Sequence, residues 1–126
     1  IPSAEGYLRS LPEIRFAYLF GGLARGKPLP LSDVDIAVYL AEHEDFVEKR
    51  IEVLGKLTDL LETDEIDLVI LNTAPLMLSM KILETRKTIV DNAPFLRHKY
   101  ESLTMRKYFD FSIKETEILE RRYQFD

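Results

Sequence analysis

Two short apolar runs in this chain open on aspartate, a residue that strands ordinarily reject. One is Ser32-Asp33-Val34-Asp35-Ile36-Ala37-Val38 and the other is Glu65-Ile66-Asp67-Leu68-Val69-Ile70-Leu71. Their β-branched content and their boundaries read as strands. Side chains alternate between faces along a strand, so Asp33 and Asp35 point the same way, and Asp67 shares a face with Val69 and Leu71. Like charges this close repel unless a cation lies between them. Taken alone, Asp-x-Asp is more often a solvated turn or an Asx cap than a functional pair. The repetition of an acidic strand start downstream is what calls for a reason.

An apolar strand, Arg15 to Gly21, ends in Gly21-Gly22 just upstream of the first acidic pair. Backbone amides of a glycine turn can approach phosphates closely. Paired hard oxygen ligands suit Mg²⁺, which keeps waters and takes one or two carboxylates plus substrate phosphates. Three carboxylates converging on a sheet end form the arrangement that two-metal phosphoryl or nucleotidyl transfer requires. Arg25, three residues beyond Gly22, is within reach of a triphosphate, although its spacing alone equally fits a solvated loop cation. Ser32 either orients Asp33, touches a phosphate or simply caps the turn. His43 and His98 have no second histidine or cysteine at ligand spacing, which argues against a transition metal.

These residues resemble the minimal nucleotidyltransferases (MNT) of the DNA polymerase β superfamily. That family's signature is Gly-Ser, ten residues, Asp-x-Asp, and a third Asp on a later strand. Here Gly21-Gly22 precedes Leu23 to Ser32, then Asp33-Val34-Asp35, with Asp67 in the third position. Leu19-Phe20-Gly21, Ala24-Arg25-Gly26, Ile66-Asp67-Leu68-Val69 and Leu71-Asn72 also match, over about residues 14 to 92. The resemblance implies a polymerase-β-type nucleotidyltransferase fold and transfer of a nucleoside monophosphate, AMP from ATP, to a hydroxyl. It implies that Asp33, Asp35 and Asp67 hold two Mg²⁺ ions and carry catalysis, while Gly21, Gly22, Arg25 and Ser32 bind the nucleotide. Stand-alone members resemble the antitoxins of HEPN-domain toxins, which adenylylate a tyrosine of the toxin. Gly22 departs from the family's serine and keeps the backbone amide but not the hydroxyl. An alternative reading is therefore a binding-only antitoxin that neutralises its partner by occlusion.

The rest of the chain alternates helix and strand signals, so the expected class is α+β, α/β-like in its alternation. A small mixed β-sheet is expected with helices packed on one face and the acidic face open. A helix over 3–11 precedes the first strand, and a long amphipathic helix runs from Asp45 to Glu62. Its core stripe is read as Val47, Ile51, Leu54 and Leu61, joined by Phe46, Val53, Leu57 and Leu60. Pro75 opens a helix to about Glu84, Lys87 to Val90 is a short strand, and Pro94 opens a final helical segment reaching about Tyr123. The 126 residues are read as one domain, with 94–126 a helical C-terminal extension for packing or partner contact. Aromatics concentrate there, and Tyr108, Phe109 and Phe111 span most of a helix circumference, which suits either a toxin complex or a homo-oligomer.

A net charge of −5 is a poor match to phosphate neutralisation and argues against direct nucleic-acid binding. No apolar run reaches the ~18 residues of a membrane span. The chain has no cysteine, which fits a cytoplasmic setting.

Overall fold

The computed structural model describes residues 2–21 and 34–123. Helix α1 (Pro2–Ser10) leads into strand β1 (Ile14–Phe20); strand β2 (Val34–Leu40) and helix α2 (Phe46–Leu61) follow. Strand β3 (Ile66–Ile70) passes through a short 3₁₀ turn (Leu71–Thr73) into helix α3 (Leu76–Thr85). Strand β4 (Lys87–Asp91) and helix α4 (Pro94–Tyr123) complete the described chain. The sheet order is β3-β2-β1-β4. The β1 strand is antiparallel to both β2 and β4, and β2 runs parallel to β3. The expected mixed sheet is present.

Local chemistry sets the element ends. Asp45 caps α2, its carboxylate accepting the N–H groups of Val47 and Glu48, each at 3.1 Å, and such a cap is worth ~1 kcal/mol. The helix stops at Glu62, which turns into the left-handed region at φ 54. Asn72 substitutes for a strand neighbour at the far end of β2. Its amide accepts from Leu40 N–H and donates to Leu40 O, both at 2.8 Å.

Helices cover both faces of the sheet, which corrects the expectation that they pack on one. On the first face α1 and α2 bury Ala4, Leu8, Val53 and Leu57 against Ile14, Leu19, Ile36, Val38, Leu68 and Val90. On the second face Leu78, Ile82 and Leu83 of α3, with Leu96 and Tyr100 of α4, pack on Phe16, Tyr18, Ala37, Tyr39 and Val69. Phe16, Tyr39 and Tyr100 form an aromatic cluster with centroid separations of 4.9–5.6 Å. This double cover explains why four consecutive residues of β1, Phe16 to Leu19, are buried. The second face, expected to be open, is thus covered by α3 and α4 over much of its length.

The expected α2 stripe holds at Phe46, Val53, Leu54, Leu57 and Leu61 and fails at Val47 and Ile51. Val47 is 72% exposed and Ile51 66%, whereas Val53 and Leu57 face the sheet, flanked by Phe46, Leu54 and Leu61. Arg50 is exposed, and its Nε donates to Leu68 O at 2.9 Å on the edge strand β3.

The start of α4 is fastened by a polar network. The buried Glu101 carboxylate accepts the Tyr18 hydroxyl at 2.6 Å and is ion-paired with Arg86 at 3.2 Å and Arg97 at 3.3 Å. Arg97 also pairs with Asp91 at 3.0 Å. Beyond Thr104, α4 has no buried residue through Arg121. Phe109, Phe111, Ile113, Ile118 and Leu119 are exposed on this projecting stretch.

Candidate active site

Three strand ends meet at one edge of the sheet. In the ladder Asp35 of β2 lies opposite Phe20 of β1 on one side and Asp67 of β3 on the other. Neighbouring strands are ~4.8 Å apart, so residues paired in a parallel ladder project adjacent side chains from one face. Both aspartates fall on the second face, with Val69 and Tyr39, as the alternation of side chains requires. Val34 N–H donates to Glu65 O at 2.9 Å, closing the ladder at the same edge.

Gly21 follows β1 immediately and adopts φ 76, a conformation L side chains rarely hold. A Cβ at this position would collide with Oδ2 of Asp35. Glycine is thus required twice, for its backbone angle and for the close approach of the chain to a carboxylate. Its N–H is already donated, to Thr85 Oγ1 at 3.0 Å. That hydrogen bond and the close approach to Oδ2 of Asp35 place the glycine turn against the carboxylate.

These residues line a cavity of about 360 Å³, bounded by Phe20, Gly21, Asp35, Asp67, Leu78, Lys81, Glu84 and Thr85. Helix α3 forms its second wall. The helix runs back along the second face from the far end of β3 and finishes beside Gly21. Leu78, Lys81 and Thr85 recur at i, i+3 and i+7 on one helical face. Sequence reading missed this wall. The available signal was the polar Lys81, Glu84 and Thr85 at the end of a largely Met/Leu/Ile helix that follows the strand of the third aspartate.

Gly22, Arg25, Ser32 and Asp33 lie outside the described residues. Among the described residues no group of three metal-ligating side chains forms. The donor chemistry of Asp35 and Asp67, two in-register carboxylates on one face, fits a hard divalent cation. A second cleft, of about 270 Å³ between Tyr39, Asn72, Tyr100 and Lys107, contains none of the expected site residues. His43 and His98 stand apart from the carboxylates, beside Glu44 and Arg97 respectively.

Residues 3–94 match the family model described as Polymerase beta, Nucleotidyltransferase. The chain belongs to this family. The match ends where α4 begins, so the projecting helix lies outside the family's common part. The chain is 34% identical over 80 residues to the protein adenylyltransferase MntA of Shewanella oneidensis, an alignment covering 64% of this chain and 56% of that protein. It thus spans little more than half the length of this curated relative. Among solved structures, a chain of a toxin–antitoxin complex with AMP-PNP superposes with a TM-score of 0.76 at 25% identity, covering 94% of this chain and 95% of its own. A chain of the MntA–HepT toxin–antitoxin structure gives 0.69 at 25% identity, over 96% and 97%. The complex of a tri-AMPylated Shewanella oneidensis HEPN toxin with its MNT antitoxin shares the fold, with a TM-score of 0.70 at 22% identity over 95% and 96%. These superpositions extend beyond the family model and take in α4. The polymerase-β nucleotidyltransferase fold is therefore that of this chain. Among the described residues no helix is long and apolar enough to cross a membrane.

Proposed function

We propose that this protein moves AMP from ATP onto a hydroxyl, a tyrosine of a HEPN-domain toxin, and acts as that toxin's antitoxin. The observation that carries the reading is the in-register pair of Asp35 and Asp67 in one cavity with Gly21. Asp33, Asp35 and Asp67 would hold two Mg²⁺ ions, which when bound neutralise phosphate charge and make the acceptor hydroxyl more acidic. Asp67, exposed at the strand end, takes the hydroxyl proton, since a general base needs reach before it needs a tuned pKa. The glycine turn and Arg25 hold the triphosphate, with Ser32 beside Asp33. The named activity of the Shewanella oneidensis relative and the AMP-PNP complex among the structural neighbours support ATP as the donor.

The domain arrangement follows the same reading. Residues 1–126 act as one unit, and the exposed apolar stretch of α4 beyond Thr104 meets the toxin. The toxin–antitoxin assemblies of the structural neighbours support a helical toxin over a homo-oligomer, and a cytoplasmic setting accords with both partners. A second reading, occlusion without chemistry, is kept in view by Gly22 in the serine position. The test uses ATP labelled at the α-phosphate, Mg²⁺ and the neighbouring gene's product. Label should pass to that product with the wild-type chain and not with Asp35→Asn, whose melting temperature should be unchanged or slightly raised by relief of carboxylate repulsion. Silencing of the toxin by Asp35→Asn with no label transferred by either protein would favour occlusion.

A further inference from the structure

We infer that Lys81 is a nucleotide-binding residue of this site, contacting the phosphate oxygens of the bound triphosphate and of the pyrophosphate that leaves. The inference rests on the nucleotidyl-transfer reading above and adds a residue from α3, an element the motif does not include. Lys81 lines the same cavity as Gly21, Asp35 and Asp67, one helical turn before Thr85, the residue that holds the Gly21 amide. Among the described residues lining that cavity it is the single cation, beside three carboxylates, Asp35, Asp67 and Glu84. It nevertheless makes no ion pair or hydrogen bond among the described residues, although Glu84 is only three positions along the same helix. A structural lysine on this helix would be expected to close that i, i+3 pair. Its side chain is exposed, so it contributes nothing to the core. A long, flexible ammonium on the wall of an acidic cavity has the reach and charge to follow phosphate oxygens as they move.

The chemistry gives such a group a task. The acceptor hydroxyl oxygen forms a bond to the α-phosphorus, and the bond from that phosphorus to the bridging oxygen breaks. Its electron pair leaves on pyrophosphate, and the hydroxyl proton passes to the protein. Negative charge therefore grows on the leaving group during the step. A cation aimed at those oxygens stabilises the transition state more than the ground state.

The test compares wild type, Lys81→Met, Lys81→Arg and Asp35→Asn, all as full chains. Three quantities are read: equilibrium binding of Mg–ATP, inhibition by inorganic pyrophosphate, and AMP transfer to the HEPN partner. Lys81→Met should weaken ATP binding and pyrophosphate inhibition about ten-fold each, the scale of one charged hydrogen bond. Lys81→Arg should recover most of the loss, and the melting temperature should stay where it was. Unchanged ATP and pyrophosphate affinity in Lys81→Met would overturn the inference. So would tighter Mg²⁺ binding with unchanged nucleotide affinity, because Lys81 would then only neutralise the carboxylates. If wild type transfers no AMP yet binds ATP, the functional reading fails, while the binding comparison still decides the role of Lys81.

Discussion

Gly21→Ala tests the idea that the site is built on a backbone contact. At φ 76 an L residue sits in the left-handed region, which costs roughly 1–2 kcal/mol. The added methyl also meets Oδ2 of Asp35, and turning that carboxylate aside costs about 0.5–1.5 kcal/mol for an off-rotamer side chain. The expected loss is therefore ~1.5–3.5 kcal/mol, read as a lower urea midpoint with an unchanged slope. The two contributions can be separated by repeating the substitution in an Asp35→Ala background, where the colliding oxygen is gone. The second measurement should give the smaller cost, near the backbone value alone, with a coupling of about 1 kcal/mol between the positions. AMP transfer should fall far more than stability, because the displaced group is a proposed metal ligand. Equal costs in the two backgrounds would refute the collision, and no cost in either would refute the backbone argument.

Other expectations follow from the packing of α4 and from the ionisable tyrosines. Glu101→Ala should cost ~3 kcal/mol, because it strands the buried Tyr18 hydroxyl and unpairs Arg86, while Arg97 keeps Asp91; Glu101→Gln, which still accepts from Tyr18, should cost less, as chemical denaturation will show. Burial, and then the hydrogen bond to Glu101, push the Tyr18 hydroxyl well above its ordinary pKa of 10.0. The folded state thus holds this proton more tightly than the unfolded chain, so the stabilisation is complete below pH 10 and is lost as pH rises above it. Tyr18→Phe should flatten that alkaline decline without abolishing it, since Lys49, raised by its hydrogen bonds to Glu13 and Glu52, contributes with the same sign. Ending the chain after Asp110 should leave the melting temperature within a few degrees, because among the described residues none beyond Thr104 is buried, and should abolish capture of the HEPN partner in a pull-down.

Where the sequence was legible, one periodicity had one physical cause. The β2 strand occupies Val34–Leu40 as its alternation predicts, and the Asp45 cap marks the start of α2. The parity of Asp35 and Asp67 followed from alternation alone, and their adjacency needed only that β2 and β3 be parallel neighbours. The core stripe of α2 was legible at Phe46, Val53, Leu54, Leu57 and Leu61, but it was drawn too wide: Val47 and Ile51 step at helical spacing yet are exposed, because apolar spacing alone does not say how much of a helix the sheet covers. No local pattern shows that the Arg50 guanidinium serves the Leu68 carbonyl of an edge strand. The C-terminal aromatics posed a similar problem, since composition cannot divide core from surface within one helix. The structure divides them by position: Tyr100 joins Phe16 and Tyr39 under the sheet, whereas Phe109 and Phe111 project.

The second face shows why the wall of the site was the least legible part. Thr85 and Arg86 are adjacent, yet one holds the glycine turn and the other holds the base of α4 through Glu101. Both bonds are non-local, linking the end of α3 to residues 64 positions earlier in the first case and to the following helix in the second. Neither residue belongs to a motif, because what each needs is a place at the junction of α3 and β4, not a neighbour in sequence. That junction lies at the same sheet edge as Asp35, since β4 begins beside Leu19 at the end of β1. The element that closes the second core therefore also sets the position of the glycine turn. Substitutions that loosen α3 on the sheet, such as Ile82→Ala at a fully buried site, should impair nucleotide binding as well as stability even though they touch no carboxylate.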